Sequence, residues 1–151
     1  MNILFVEDDE NKRDDIVAWL RHNYQGANVA SAASYQSALK TLMQARFDAI
    51  LLDMTIPTFD KGSFGAAGRL RPLGGRDLLD QMSRRRIPGR VIVITGYDLL
   101  GDGDSALPLK AVVDDISNQF GHLFVGAVFY SRAEERWKIE LKQLVDAVLG
   151  K

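Results

Sequence analysis

The chain has 151 residues, 46% hydrophobic and 26% charged, the size and composition of one compact domain with its own core. It has no cysteine and only two histidines, which excludes disulfides and thiolate zinc sites and leaves oxygen to hold any metal. A formal net charge of -1 argues against a general attraction to nucleic acid or an anionic membrane surface, and no apolar run approaches the ~20 residues that cross a bilayer.

The first apolar run, NILFV (2–6), is followed at once by four acids, Glu7, Asp8, Asp9 and Glu10. A run this short, ended by acids, is no secretory leader, and a cytoplasmic location is expected. Nearly continuous apolar character predicts a strand buried on both faces. Ile16, Trp19 and Leu20 then fall at helical spacing. ANVASA (27–32) is a weaker strand, and Ser34 is placed to cap a helix carrying Ala38, Leu39, Leu42 and Met43 on its apolar face. DAILLD (48–53) predicts a third strand, Leu78, Leu79 and Met82 a third helix, and RVIVIT (90–95) a fourth strand. HLFVGAVFY (122–130) is another weaker strand, the fifth, and Trp137, Leu141, Leu144, Val145 and Val148 mark the last amphipathic helix. Strands and helices in alternation imply an α/β fold with a parallel sheet covered by helices on both faces.

In such a sheet, ligands bind at the carboxyl ends of the strands. The first strand ends in Glu7 and Asp8, the third in Asp53, and the fourth in Thr95 and Gly96. Should the first and third strands be neighbours, three carboxylates converge, and they repel one another unless a cation sits among them or one is protonated. Magnesium suits such a set, because it takes one or two carboxylates and keeps positions for water and phosphate oxygens. Asp9 and Glu10 read instead as helix-start acids.

The motifs LFVEDDENKR, DAILLDMTIP and VIVITG, in this order, resemble the receiver domain of two-component response regulators, and the resemblance covers nearly the whole chain. It implies a flavodoxin-like (βα)5 doubly wound parallel sheet in the strand order 2-1-3-4-5, as a single domain over 1–151. Asp53 would be the phosphoacceptor for a histidine kinase or a histidine phosphotransfer protein. Asp8 would bind Mg2+ directly, Glu7 through a water, and the carbonyl of Thr55 would complete the protein's share of the shell. Thr95 would offer its hydroxyl to the phosphoryl group, and Gly96 would leave room for it. No conventional enzyme is expected, apart from autodephosphorylation. No output domain is expected to follow, so the signal would leave through a downstream protein partner or as the phosphoryl group itself. Neither nucleic acid nor membrane is an expected partner, and a homodimer is left open.

The chain also departs from that family. A receiver carries a lysine, then a proline, at the end of strand five; here Tyr130, or Ser131, takes that place. Arg132 would replace the lysine only if the strand ended later. The second departure is an inserted loop at about 61–74, ahead of Gly75, the glycine taken to open helix three. Unstructured loops of this length are often functional. The loop's Lys61, Arg69 and Arg71 are candidates to reach the phosphoryl oxygens, and are favoured over Arg132 as substitutes for the lysine. A shorter expansion, YDLLGDGDSALP (97–108), follows strand four. SRRR (83–86) reads as a solvated helix end rather than a nucleic-acid patch. Two alternatives stand beside this reading. One is a pseudo-receiver that acts as a protein-interaction module without phosphorylation. The other is a dehalogenase-like phosphatase, which needs an acid two residues after its nucleophile, where this chain has Thr55.

Overall fold

The structure, a computed structural model, describes residues 1–60, 70–71, 73–97, 99–100 and 106–150. Five strands, β1 (Asn2–Val6), β2 (Asn28–Ala32), β3 (Ala49–Leu52), β6 (Val91–Thr95) and β9 (Phe124–Phe129), form one sheet in the order β2-β1-β3-β6-β9. Every pairing is parallel. Among these five the order is 2-1-3-4-5, the flavodoxin-like receiver arrangement. The chain runs out from β1 to β2 and then returns across β1 to β3, so the sheet's switch point lies between the ends of β1 and β3.

Alternate residues of each strand serve opposite faces, which is why the central strands are apolar throughout. Leu4, Val6, Ile50, Leu52 and Val93 pack under α2 (Tyr35–Gln44), α3 (Gly74–Arg84) and α4 (Leu109–Phe120). Ile3, Phe5, Leu51, Ile92 and Ile94 pack under α1 (Glu10–Asn23) and α5 (Arg136–Leu149). Asp9 caps α1 by accepting from the Asn11 and Lys12 N–H groups, and Ser34 forms a capping box with Ser37 at α2. Met43 departs from the expected apolar face: it is 58% exposed, at the last turn of α2, with Arg85 Nη1 3.8 Å from its sulfur.

Two short antiparallel ribbons interrupt the alternation. β4 (Ile56–Pro57) pairs with β5 (Leu70–Arg71), and β7 (Leu99–Leu100) pairs with β8 (Leu107–Pro108). The expected loop over 61–74 is therefore too long at its far end. Residues 70–71 return as a strand because β4 offers them backbone partners, and Gly74 already belongs to α3. Gly75 lies in that first turn, as expected; a Cβ there would stand 2.6 Å from the Asp53 carbonyl oxygen, so only glycine lets α3 approach the end of β3 this closely.

Candidate functional site

The ends of β1 and β3 are tied side by side, with the Asp53 N–H donating to the Val6 carbonyl at 3.1 Å. Register then delivers Glu7, Asp8 and Asp53 to one place, and one carboxylate oxygen from each lies within 4.8 Å of the others. Glu7 and Asp53 are 1% and 3% exposed, while Asp8 is partly open to solvent. They line a cleft of about 490 Å³ together with Thr55, Gly96, Tyr130, Ser131 and Arg132.

The electrostatics follow from crowding acids where water is scarce. Burial, and then the charge of Asp53, push the Glu7 carboxyl up to about 8, against the opposing pull of Lys12. Burial also raises Asp8, with Asp53 adding to the effect. Hard oxygen donors carrying surplus negative charge match what a small divalent cation requires. Glu7 and Asp53, buried, and Asp8, at the mouth of the cleft, therefore fit a magnesium ion.

The expected residues divide on inspection. Glu7, Asp8, Asp53, Thr55 and Gly96 share the cleft. The Thr55 N–H donates to Asp53 Oδ1 at 3.4 Å, which orients the carboxylate. Thr95 is fully buried beneath the lining, where its Oγ1 accepts from the Tyr97 N–H at 3.2 Å. Tyr130 does follow the last strand: its N–H donates to the Thr95 carbonyl at 2.8 Å, its ring is 6% exposed, and its hydroxyl donates to Asp15 at 2.7 Å. β9 ends at Phe129, so Arg132 is not a strand-end residue, and it stands exposed at the rim. Lys61 and Arg69 lie outside the described residues, and Arg71 enters only through its backbone in β5.

One residue of the site was missed. Lys12, 6% exposed, pairs with Glu7 Oε1, donates to the Ile94 carbonyl at 2.9 Å, and holds its Nζ 3.3 Å from Asp53 Oδ2. A signal for it existed: Lys12, Ile16 and Leu20 stand at intervals of four, on the buried face of α1.

The family model of the response regulator receiver domain matches residues 3–115. Among curated proteins, the Detocs response regulatory protein DtcB of Enterobacter cloacae is 27% identical over 143 residues, covering 93% of this chain and 95% of the relative. Among solved structures, response regulator TrrA of Thermotoga maritima, in complex with Mg2+ and BeF, is similar with a TM-score of 0.61 at 20% identity, covering 95% of this chain and 97% of that one. The receiver domain of sensor histidine kinase PA1611 from Pseudomonas aeruginosa, with magnesium in its active-site cleft, gives 0.59 at 23% identity, covering 99% and 98%. These solved relatives share the fold, and the family match spans three strand ends that build the cleft. The chain belongs to the response regulator receiver domains of two-component signalling.

Proposed function

We infer that this receiver accepts a phosphoryl group on Asp53 from a histidine kinase or a histidine phosphotransfer protein, and relays the signal to a downstream protein. The observation that carries this reading is the Asp53 carboxylate, nearly buried at the strand end, open to a cleft on one side and flanked by the Glu7 and Asp8 carboxylates. In the transfer, an Asp53 oxygen attacks phosphorus; the new O–P bond forms as the donor's N–P bond breaks, and the donor nitrogen leaves with its electron pair.

Glu7, Asp8, Asp53 and the Thr55 carbonyl are the groups that would hold Mg2+. The chemistry such an ion supplies when bound is neutralisation of charge on the phosphoryl oxygens. The chain's own contribution is positioning. The Thr55 N–H fixes one Asp53 oxygen, and Gly96 keeps the opposite wall of the cleft free of a side chain. Thr95 Oγ1 accepts from the Tyr97 N–H, and its own O–H would be the donor toward an incoming group.

Intact mass after incubation with Mg2+ and phosphoramidate tests the reading. The parent gains the mass of one phosphoryl group, and neither Asp53→Asn nor the parent in chelator does. A parent that gains no mass would be a protein-interaction module on a receiver fold instead.

A further inference from the structure

The family resemblance calls for a lysine after β9, and Tyr130 stands there. An ammonium nevertheless reaches Asp53 from a different element. Lys12 sits in the first turn of α1, on the face that carries Ile16 and Leu20 into the sheet. Lysine is almost never this deeply buried unless its charge is matched, so Lys12, only 6% exposed, needs partners for its ammonium.

Three oxygens surround its Nζ. The hydrogen bond to the Ile94 carbonyl at 2.9 Å and the ion pair with Glu7 hold the ammonium in place, and Asp53 Oδ2 stands at the longer distance of 3.3 Å. We propose that Lys12 is the phosphoryl-binding cation of this receiver, meeting the group on Asp53 from α1 instead of from the end of β9. This rests on the reading of Asp53 as phosphoacceptor. When the O–P bond forms, Asp53 gives up its own charge and the phosphoryl oxygens carry close to two. The long third contact is then exchanged for a stronger acceptor beside it, while the other two keep the ammonium where it is.

The same geometry accounts for Tyr130. Its ring lies 5.7 Å from Lys12 Nζ, and its hydroxyl is anchored on Asp15, one turn along α1 from Lys12. A lysine at position 130 would crowd a second ammonium into the space Lys12 fills, whereas an aromatic ring shelters the first and attracts it. Arg132, exposed at the rim, has no such seat.

Two probes test the proposal: Mg2+ alone for the resting site, and beryllofluoride with Mg2+ for the phosphorylated one. In Lys12→Met, Mg2+ binds as tightly as in the parent or more tightly, because a positive neighbour of Glu7 and Asp53 has gone. Beryllofluoride affinity falls about tenfold to a hundredfold, the size of one charge-assisted hydrogen bond. A lysine that only supports the fold would move both affinities downward together. Should Lys12→Met fail to fold because Glu7 is left buried and unpaired, Glu7→Gln compared with Glu7→Gln/Lys12→Met removes the same ammonium without orphaning a charge. Beryllofluoride affinity unchanged to within about twofold, well under one such hydrogen bond, overturns the proposal, as does parallel weakening of both probes. Failure of the phosphoacceptor reading looks different: the parent itself then gains no phosphoryl mass.

Discussion

Asp8 and Asp9 are neighbours in sequence with different partners, and the difference is measurable. Asp9 Oδ1 accepts from the Asn11 and Lys12 N–H groups at 2.9 and 3.1 Å, closing the open end of α1. Asp8 instead joins Glu7 and Asp53. Asp8→Asn should weaken Mg2+ binding at least tenfold and leave stability near the parent's or raise it, since a crowded charge is removed. Asp9→Ala should do the reverse, costing about 1 kcal/mol of stability as a lost helix cap with a much smaller effect on Mg2+. Titration calorimetry and urea unfolding on the two variants check this, and equal Mg2+ midpoints would show that the register after β1 has been misread. The acids were legible because like charges at the ends of apolar runs have no bland explanation when taken together. Lys12 was not, because within ENKRDD a lysine looks solvated. Only its four-residue interval from Ile16 marks it as buried, and a search for a cation near the end of the last strand looks past it.

Among the elements, α3 packs directly against the end of β3. The Gly75 N–H donates to the Met54 carbonyl at 2.9 Å, and a Cβ at Gly75 would meet the Asp53 carbonyl oxygen at 2.6 Å and Met54 Cα at 2.8 Å. Both obstacles are backbone, so α3 or the segment from Asp53 to Thr55 must move. Gly75→Ala should cost about 1–3 kcal/mol, in the range of overpacked sites, and should also weaken Mg2+ binding by displacing the Thr55 carbonyl. Gly126→Ala, in the middle of β9, makes a useful control. There the nearest atoms are the Leu144 methyls, at 2.9 and 3.1 Å, and a side chain can turn aside. It should lose less stability and keep its Mg2+ affinity. The three central strands were readable because burial on both faces demands unbroken apolar runs, while β2 and β9, partly buried at the sheet edges, gave weaker signals. The ribbons β4–β5 and β7–β8 were not, since two residues carry no periodicity. The start of α3 was obscured for a related reason: Leu73 at its N-cap supplies no side-chain hydrogen bond, so no capping residue announces it.

Across the whole molecule, the helix that carries Lys12 is fastened at both ends by a phenol and a carboxylate. Near its start, the Tyr130 hydroxyl at the end of β9 donates to Asp15 at 2.7 Å; past its last turn, the Tyr24 hydroxyl donates to Asp146 of α5, also at 2.7 Å. Trp137 fills the space between, its ring centroid 5.2 Å from that of Tyr130 and 5.8 Å from that of Trp19. Both hydrogen bonds need the phenol proton. Burial first, and then the bonded carboxylate, raise both phenols above their ordinary value of 10. The sign follows from proton counting: above pH 10 the unfolded chain releases these protons while the folded chain keeps them, so stability is unaffected by them below that pH and falls as pH rises beyond it. Each phenol contributes a slope of about 1.4 kcal/mol per pH unit. Tyr24→Phe should lower stability near neutral pH by about 1 kcal/mol, the worth of one hydrogen bond, and flatten the alkaline limb by about one proton. Tyr24 is the cleaner choice because it lies at the far end of α1 from the cleft, so beryllofluoride affinity should stay at the parent's value. Urea unfolding at a series of alkaline pH values, followed by tyrosinate absorbance, measures the slope directly. Ionisation of Tyr24 ahead of unfolding, or an alkaline limb as steep in Tyr24→Phe as in the parent, would mean that the phenol–carboxylate bond to α5 does not hold this end of α1.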